Sequence, residues 1–452
     1  MQHASPSFPG GFVFGVATSA YQVEGHIEND WAEWERAGKL KEPHVRCGRG
    51  VDHWSWARFE EDLALARTVG STAFRLSLEW ARIEPERGRF DEAAIDRYRA
   101  RLVRMKEVGL RPVVTLHHFT HPAWFHRETP WHGTDCLAAF RRYAQVCARI
   151  IKGLDALVIT FNEPMVLLCG GYLQGLIPPG MKGGKHAMAA LANMARSHVA
   201  AREELLSECG PTTIGISQNM VALAPDRPWH PLDRALVHLA SHNYNHAMLE
   251  GLTSGRLRIR MPGVASLDIE IPGARDSIDY IGMNYYTRAH MRFTLGHPFV
   301  EQRFRDRFRR GLTDIGWEVY PEGFSQILLE LKRYGLPVWV TENGIDDRNG
   351  GERRVGYLHT HWSQLLEAVK RGVDVKGYLY WSLMDNFEWL EGWGPRFGLY
   401  HVDFETLERR ETPACRYFRN VALSNRLIDP GPPPTQEREE KVARAPLPAL
   451  AT

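Results

Sequence analysis

Short, predominantly apolar runs recur along the chain, and the stretches between them carry the three-to-four-residue apolar spacing of amphipathic helices. Runs of the first kind are the signature of strands buried on both faces. Eight qualify, at 12–18, 73–78, 112–116, 156–161, 213–217, 278–283, 337–341 and 377–381. Helical stretches lie among them at 59–68, 93–108, 137–151, 187–207, 232–249, 323–334 and 356–371. No Gly-rich phosphate turn follows the first run, so an open dinucleotide-binding sheet is disfavoured. The pattern predicts an α/β fold, a single (β/α)8 TIM barrel with long βα-loop insertions. At Pro430 the character changes to Pro-Gly-Pro-Pro-Pro, a charged stretch at 437–441 and an aperiodic end. The expected organisation is a barrel over 1–428 and a short disordered tail over 429–452.

Composition narrows the class. Hydrophobic residues at 44% and charged residues at 24% suit a soluble globular chain, and 56 basic against 54 acidic side chains leave no broad phosphate-binding surface. Nucleic acid is not an expected partner, and no run approaches the 18 apolar residues of a membrane span. Cys47, Cys136, Cys147, Cys169, Cys209 and Cys415 lack metal-like spacing and read as reduced thiols. The apolar stretch at 12–20 is broken by Gly15, Thr18 and Ser19, so no signal peptide is read and cytoplasm is the expected compartment. The 14 Trp, 15 Tyr, 19 Phe and 20 His are either core or stacking platforms, and composition leaves that open.

In a (β/α)8 barrel, polar residues at the C-terminal strand ends face the active-site mouth. The fourth run ends Thr160-Phe161-Asn162-Glu163-Pro164 and the seventh Thr341-Glu342-Asn343-Gly344. Two carboxylates at equivalent strand ends are what glycoside hydrolysis needs: one protonates the leaving oxygen while the other attacks the anomeric carbon or activates water. The alternative for each Glu alone is a helix cap or an ion pair with an Arg.

The strings TFNEP and TENG at these ends resemble the two signature motifs of the family 1 glycoside hydrolases, the β-glucosidase family. FGVATSAYQVEG from Phe14, FRLSLEW from Phe74, TLHHFTHP from Thr115, MNYYT from Met283, GWEVYPEG from Gly316 and YWSLMDNFEW from Tyr380 extend the resemblance over about 10–425. It implies a retaining exo-β-glycosidase without cofactor or metal, acting on small β-glycosides such as cellobiose. Glu163 is then the general acid/base and Glu342 the nucleophile, supported by Arg75 and Tyr286. Gln22, His118, Asn162, Asn284, Glu388 and Trp389 match sugar-binding positions, Trp381 the platform beneath the ring, Trp317 the entrance aromatic and Phe397 a closure of the glycone side. His117, His121 and His126 surround His118 in sequence, but no acidic neighbour completes a metal site.

Glu388 disfavours 6-phosphorylated sugars and suits the adjacent 4-OH and 6-OH of glucose, leaving room for galactose or fucose. Two positions depart from the common pattern. Phe119 replaces a Trp, at the loss of one hydrogen bond, and Met165 stands where a Trp is frequent, so a flexible side chain is expected at the aglycone entrance. A transglycosylase using the same site and a non-catalytic sugar-binding barrel are the competing readings. The carboxylate pair predicts a bell-shaped pH profile on the acidic side of neutral.

Overall fold

The eight apolar runs become eight parallel strands: β1 (Val13–Ala17), β2 (Ala73–Ser77), β3 (Arg111–His117), β4 (Leu157–Asn162), β5 (Thr213–Pro225), β6 (Tyr280–Phe293), β7 (Val338–Asn343) and β8 (Val375–Trp381). Each pairs with its sequence neighbour, and β8 returns to β1, with Val13 opposite Gly377 and Ala17 opposite Trp381, so the sheet closes. This is a computed structural model, and it describes residues 5–41, 50–295, 300–348 and 351–431. Cys47 and tail residues 432–452 lie outside the described residues.

Why the strands read as largely apolar runs is now visible. Val113, Leu157, Ile159, Tyr280, Trp339 and Leu379 fill the barrel interior together with the small Ala17 and Ala73, while alternate residues pack against the surrounding helices. Where β4, β6 and β7 reach the mouth, the interior turns polar at Asn162, Asn284 and Glu342. Gly344, just past β7, shows how tightly that rim is built: a Cβ there would lie 2.0 Å from the Trp381 carbonyl oxygen.

Three differences from the sequence reading shape the site. β5 and β6 run far beyond 217 and 283, because Gln218 to Pro225 pairs with Met283 to Met291 as a ribbon rising off the rim. Their polar positions masked the continuation. The ribbon is extended by Val300–Arg303, antiparallel to β6. The predicted helix at 232–249 is instead Pro231–Ala240, a π-helical Ser241–His246 and Ala247–Ser254. Side chains explain the wider turn: Asn245 Nδ2 donates to the Val221 carbonyl while Asn245 Oδ1 accepts from the Val221 N–H, and Gln218 Nε2 donates to the Tyr244 carbonyl. The π turn carries Tyr244 to the cavity. Among the described residues, no helix is long and apolar enough to cross a membrane.

Candidate active site

Strand register brings the polar side chains of the rim together before any loop is considered. Asn219 on β5 lies opposite Asn284 on β6, and Asn284 opposite Glu342 on β7. Glu163 follows β4, its N–H donating to the Ser217 carbonyl at 2.7 Å. Its φ of +48° is left-handed, and Pro164 starts a short helix immediately afterwards. Glu163 Oε1 accepts from Asn284 Nδ2 at 2.7 Å and from Asn219 Nδ2 at 3.1 Å.

Glu342 is bound quite differently. Arg75 Nη1 donates to Oε1 at 2.6 Å and the Tyr286 hydroxyl to Oε2 at 2.7 Å. Arg75 is wholly buried, so its charge acts through little solvent, and its other donors hold the Thr341 carbonyl, Thr115 Oγ1 and Asn162 Oδ1. A chain of contacts therefore joins the carboxylates: Glu163 to Asn284, to Asn162, to Arg75, to Glu342. Burial, and then the neighbouring Glu342 charge, pushes the Glu163 carboxyl up to about 8, while Asn284 and Asn219 oppose this.

Both carboxylates open onto a cavity of about 320 Å³. His118 and Asn162 meet at 3.2 Å on one wall, the Nδ2 of Asn162 donating to the ring nitrogen. Burial and Arg75 hold His118 well below its usual range, so it serves as a neutral acceptor. Its ring stacks 6.0 Å from both Trp381 and Trp389. Glu388 lies at the same end, pushed well above the carboxylate range by burial and Glu342. Phe397 packs on Tyr286, and Trp317 on both. Phe119, Glu163 and Trp389 all border the cavity with positive φ. Such backbone costs on the order of 1 kcal/mol per residue and is retained at sites where side-chain aim matters.

The sequence model described as glycosyl hydrolase family 1 matches residues 4–427. The chain belongs to that family. It is 31% identical to beta-glucosidase A of Thermotoga maritima, covering 93% of this chain and 99% of the relative. It is 30% identical to a beta-galactosidase of Pyrococcus woesei, covering 97% and 100%. The solved beta-glycosidase from Pyrococcus horikoshii superposes with a TM-score of 0.87 at 35% identity, covering 94% of this chain and 97% of that one. The protein is thus a family 1 glycoside hydrolase built on the barrel that the apolar runs predicted.

Within this family 1 frame, several expected residues sit differently from the sequence reading. Gln22 and Asn284, expected among the sugar contacts, are fully buried behind the wall. Gln22 Nε2 donates to the Phe387 carbonyl and lies 3.5 Å from Glu388 Oε2, so it braces the Glu388 segment. Asn284 is spent on Glu163, Asn162 and Thr341. Met165 is not at the entrance: it is fully buried, and Val166 borders the cavity instead. The left-handed turn at Glu163 followed by Pro164 rotates the chain by a position that spacing could not reveal. Phe119 does border the cavity, edge-on to Trp389 at 5.1 Å. His117 turns outward against Trp131 and Phe161, and His121 reaches Asp30 at 3.4 Å.

The sequence reading missed Asn219, Tyr244, Val221 and Phe304. Asn219 carried a signal, a polar residue ending an apolar strand, hidden because the run was ended at 217. The other three come from the ribbon and the π turn, which only pairing assembles.

Proposed function

We propose that this family 1 enzyme is a retaining exo-β-glucosidase, which removes terminal unphosphorylated β-D-glucosyl residues from short β-glucosides, cellobiose among them. The observation that carries the reading is the unlike treatment of two carboxyls in one cavity: Glu342 is gripped by Arg75 and Tyr286, whereas Glu163 is pushed up to about 8. An acid that holds its proton near neutrality beside a carboxylate held for attack is the division of labour that glycoside hydrolysis requires.

In the first step Glu163 gives its proton to the glycosidic oxygen as the C1–O bond breaks, and a Glu342 oxygen forms the bond to C1. In the second, Glu163, now ionised, takes a proton from water, whose oxygen displaces Glu342 from C1. Two displacements leave the anomeric configuration unchanged. Asn162 is placed to bond the 2-hydroxyl, where such a bond strengthens in the transition state. His118, Trp389 and Glu388, braced by Gln22, read the remaining hydroxyls over the Trp381 face, and Asn284 aims Glu163. The described cavity wall contains no Lys or Arg, so nothing there offsets a phosphate dianion. The catalytic unit spans 1–428. The five described cysteines are free thiols, in keeping with a cytoplasmic location.

The test is a proton NMR time course with an aryl β-D-glucoside in the presence of chelator. Early β-glucose supports the reading, α-glucose first overturns retention, and no turnover of glucoside, galactoside or fucoside overturns the activity. Replacing Tyr286 by Phe removes one donor to an ionised oxygen and is expected to lower kcat about tenfold. KM should change less, because that bond must reorganise as C1 is attacked. A wild-type kcat would remove Tyr286 from the nucleophile's support.

A further inference from the structure

We infer that the leaving-group side of the cavity takes an apolar aglycone, an aryl or alkyl alcohol, in preference to a second sugar. The inference rests on Glu163 being the acid, since the acid must face the departing oxygen and thereby marks the side on which the leaving group lies.

Four stretches of chain build that side, and each offers hydrocarbon. The short helix after Glu163 brings Val166 to the wall, its N–H donating to the Glu163 carbonyl. β5 carries Val221 two residues beyond Asn219, hence on the same face and about 7 Å farther out. Ile177 folds back over the π-helical Leu167–Gln174. Phe304, following the ribbon's third strand, supplies a ring.

The polar groups on this side are already engaged. Asn219 donates to Glu163 through Nδ2 and accepts from the Tyr244 hydroxyl through Oδ1, both at 3.1 Å. The Thr287 hydroxyl donates to the Glu318 carbonyl at 3.0 Å. Gln302 is exposed at the rim. An aromatic face alone would stack a sugar as readily as an aryl group. What separates them is the sugar's hydroxyls, each of which loses water on entry and, unpaired, costs roughly a factor of ten. An alkyl chain has no such groups, and each buried methylene is worth up to about fourfold.

The experiment measures kcat/KM for methyl, butyl, hexyl and octyl β-D-glucosides and for cellobiose. The alkanols share one glycone and nearly one leaving-group basicity, so their slope reads burial alone. We expect a rise of about twofold or more per methylene before a plateau, with hexyl glucoside at least tenfold above cellobiose. Val221→Asn and Val166→Ser, each checked for folding by its thermal midpoint, should flatten the slope. A flat series, or cellobiose equal to hexyl glucoside, overturns the inference while leaving the glucosidase reading intact. Hydrolysis of none of these substrates overturns that reading, and the inference with it.

Discussion

Glu342→Gly should lower kcat by roughly 10⁵-fold or more, because it removes both the attacking atom and the negative charge that faces the developing positive charge at C1. Part of any loss could be trivial. Arg75 would keep its bonds to Asn162, Thr115 and the Thr341 carbonyl but lose its counter-charge while fully buried, at a cost of about 3 kcal/mol. The thermal midpoint must therefore be measured beside the rate. A folded fraction above one half explains a factor of two at most, far from the expected loss. Added azide gives the decisive readout. It can enter from the vacated face, forming its bond to C1 as the C1–O bond breaks and Glu163 protonates the departing oxygen. The product should be the α-glucosyl azide. The β-azide, or a variant with wild-type rate, would mean that another group attacks C1.

Glu163→Gln should lower kcat/KM for alkyl glucosides by about 10²- to 10⁴-fold, yet change the formation of the glycosyl-enzyme from a dinitrophenyl glucoside far less. The difference follows from the leaving group, since dinitrophenolate departs without a proton. The pH profile gives an independent check. The active form carries the proton on Glu163, so activity falls as pH rises through its titration, at about 8. The alkaline limb thus belongs above neutrality, whereas the sequence alone suggested a profile lying on the acidic side. Gln does not titrate, so that limb should vanish in the variant. A limb that persists would belong to another raised carboxyl of the cavity, Glu388 being the first to examine.

These two variants target residues that spacing exposed at once, and the reason is physical. A strand buried on both faces is apolar along most of its length, so an ionisable group held at its end by Pro164 or Gly344 stands out against the run. The eight runs, their parallel order and the position of Glu163 and Glu342 at the mouth were therefore written locally, each within about ten residues of chain. The partners that give those carboxyls opposite characters were not. Arg75, Asn162, Asn284 and Tyr286 could be assigned only through the resemblance to a family, and their contacts arise from register across four strands of the closed sheet.

The leaving-group wall lay further from reach. Val166 rather than Met165 faces the cavity because the backbone at Glu163 turns left-handed, a choice made by the surrounding packing and invisible in residue spacing. Val221 and Tyr244 face it because the β5–β6 ribbon continues past the rim and because Asn245 and Gln218 open a π turn. By itself the sequence determined the barrel and which two strand ends place a carboxyl group at its mouth, since burial and turn geometry act over short stretches. Only the tertiary structure decided which side chains aim those groups and what walls the leaving group meets, since both depend on segments brought together from across the chain.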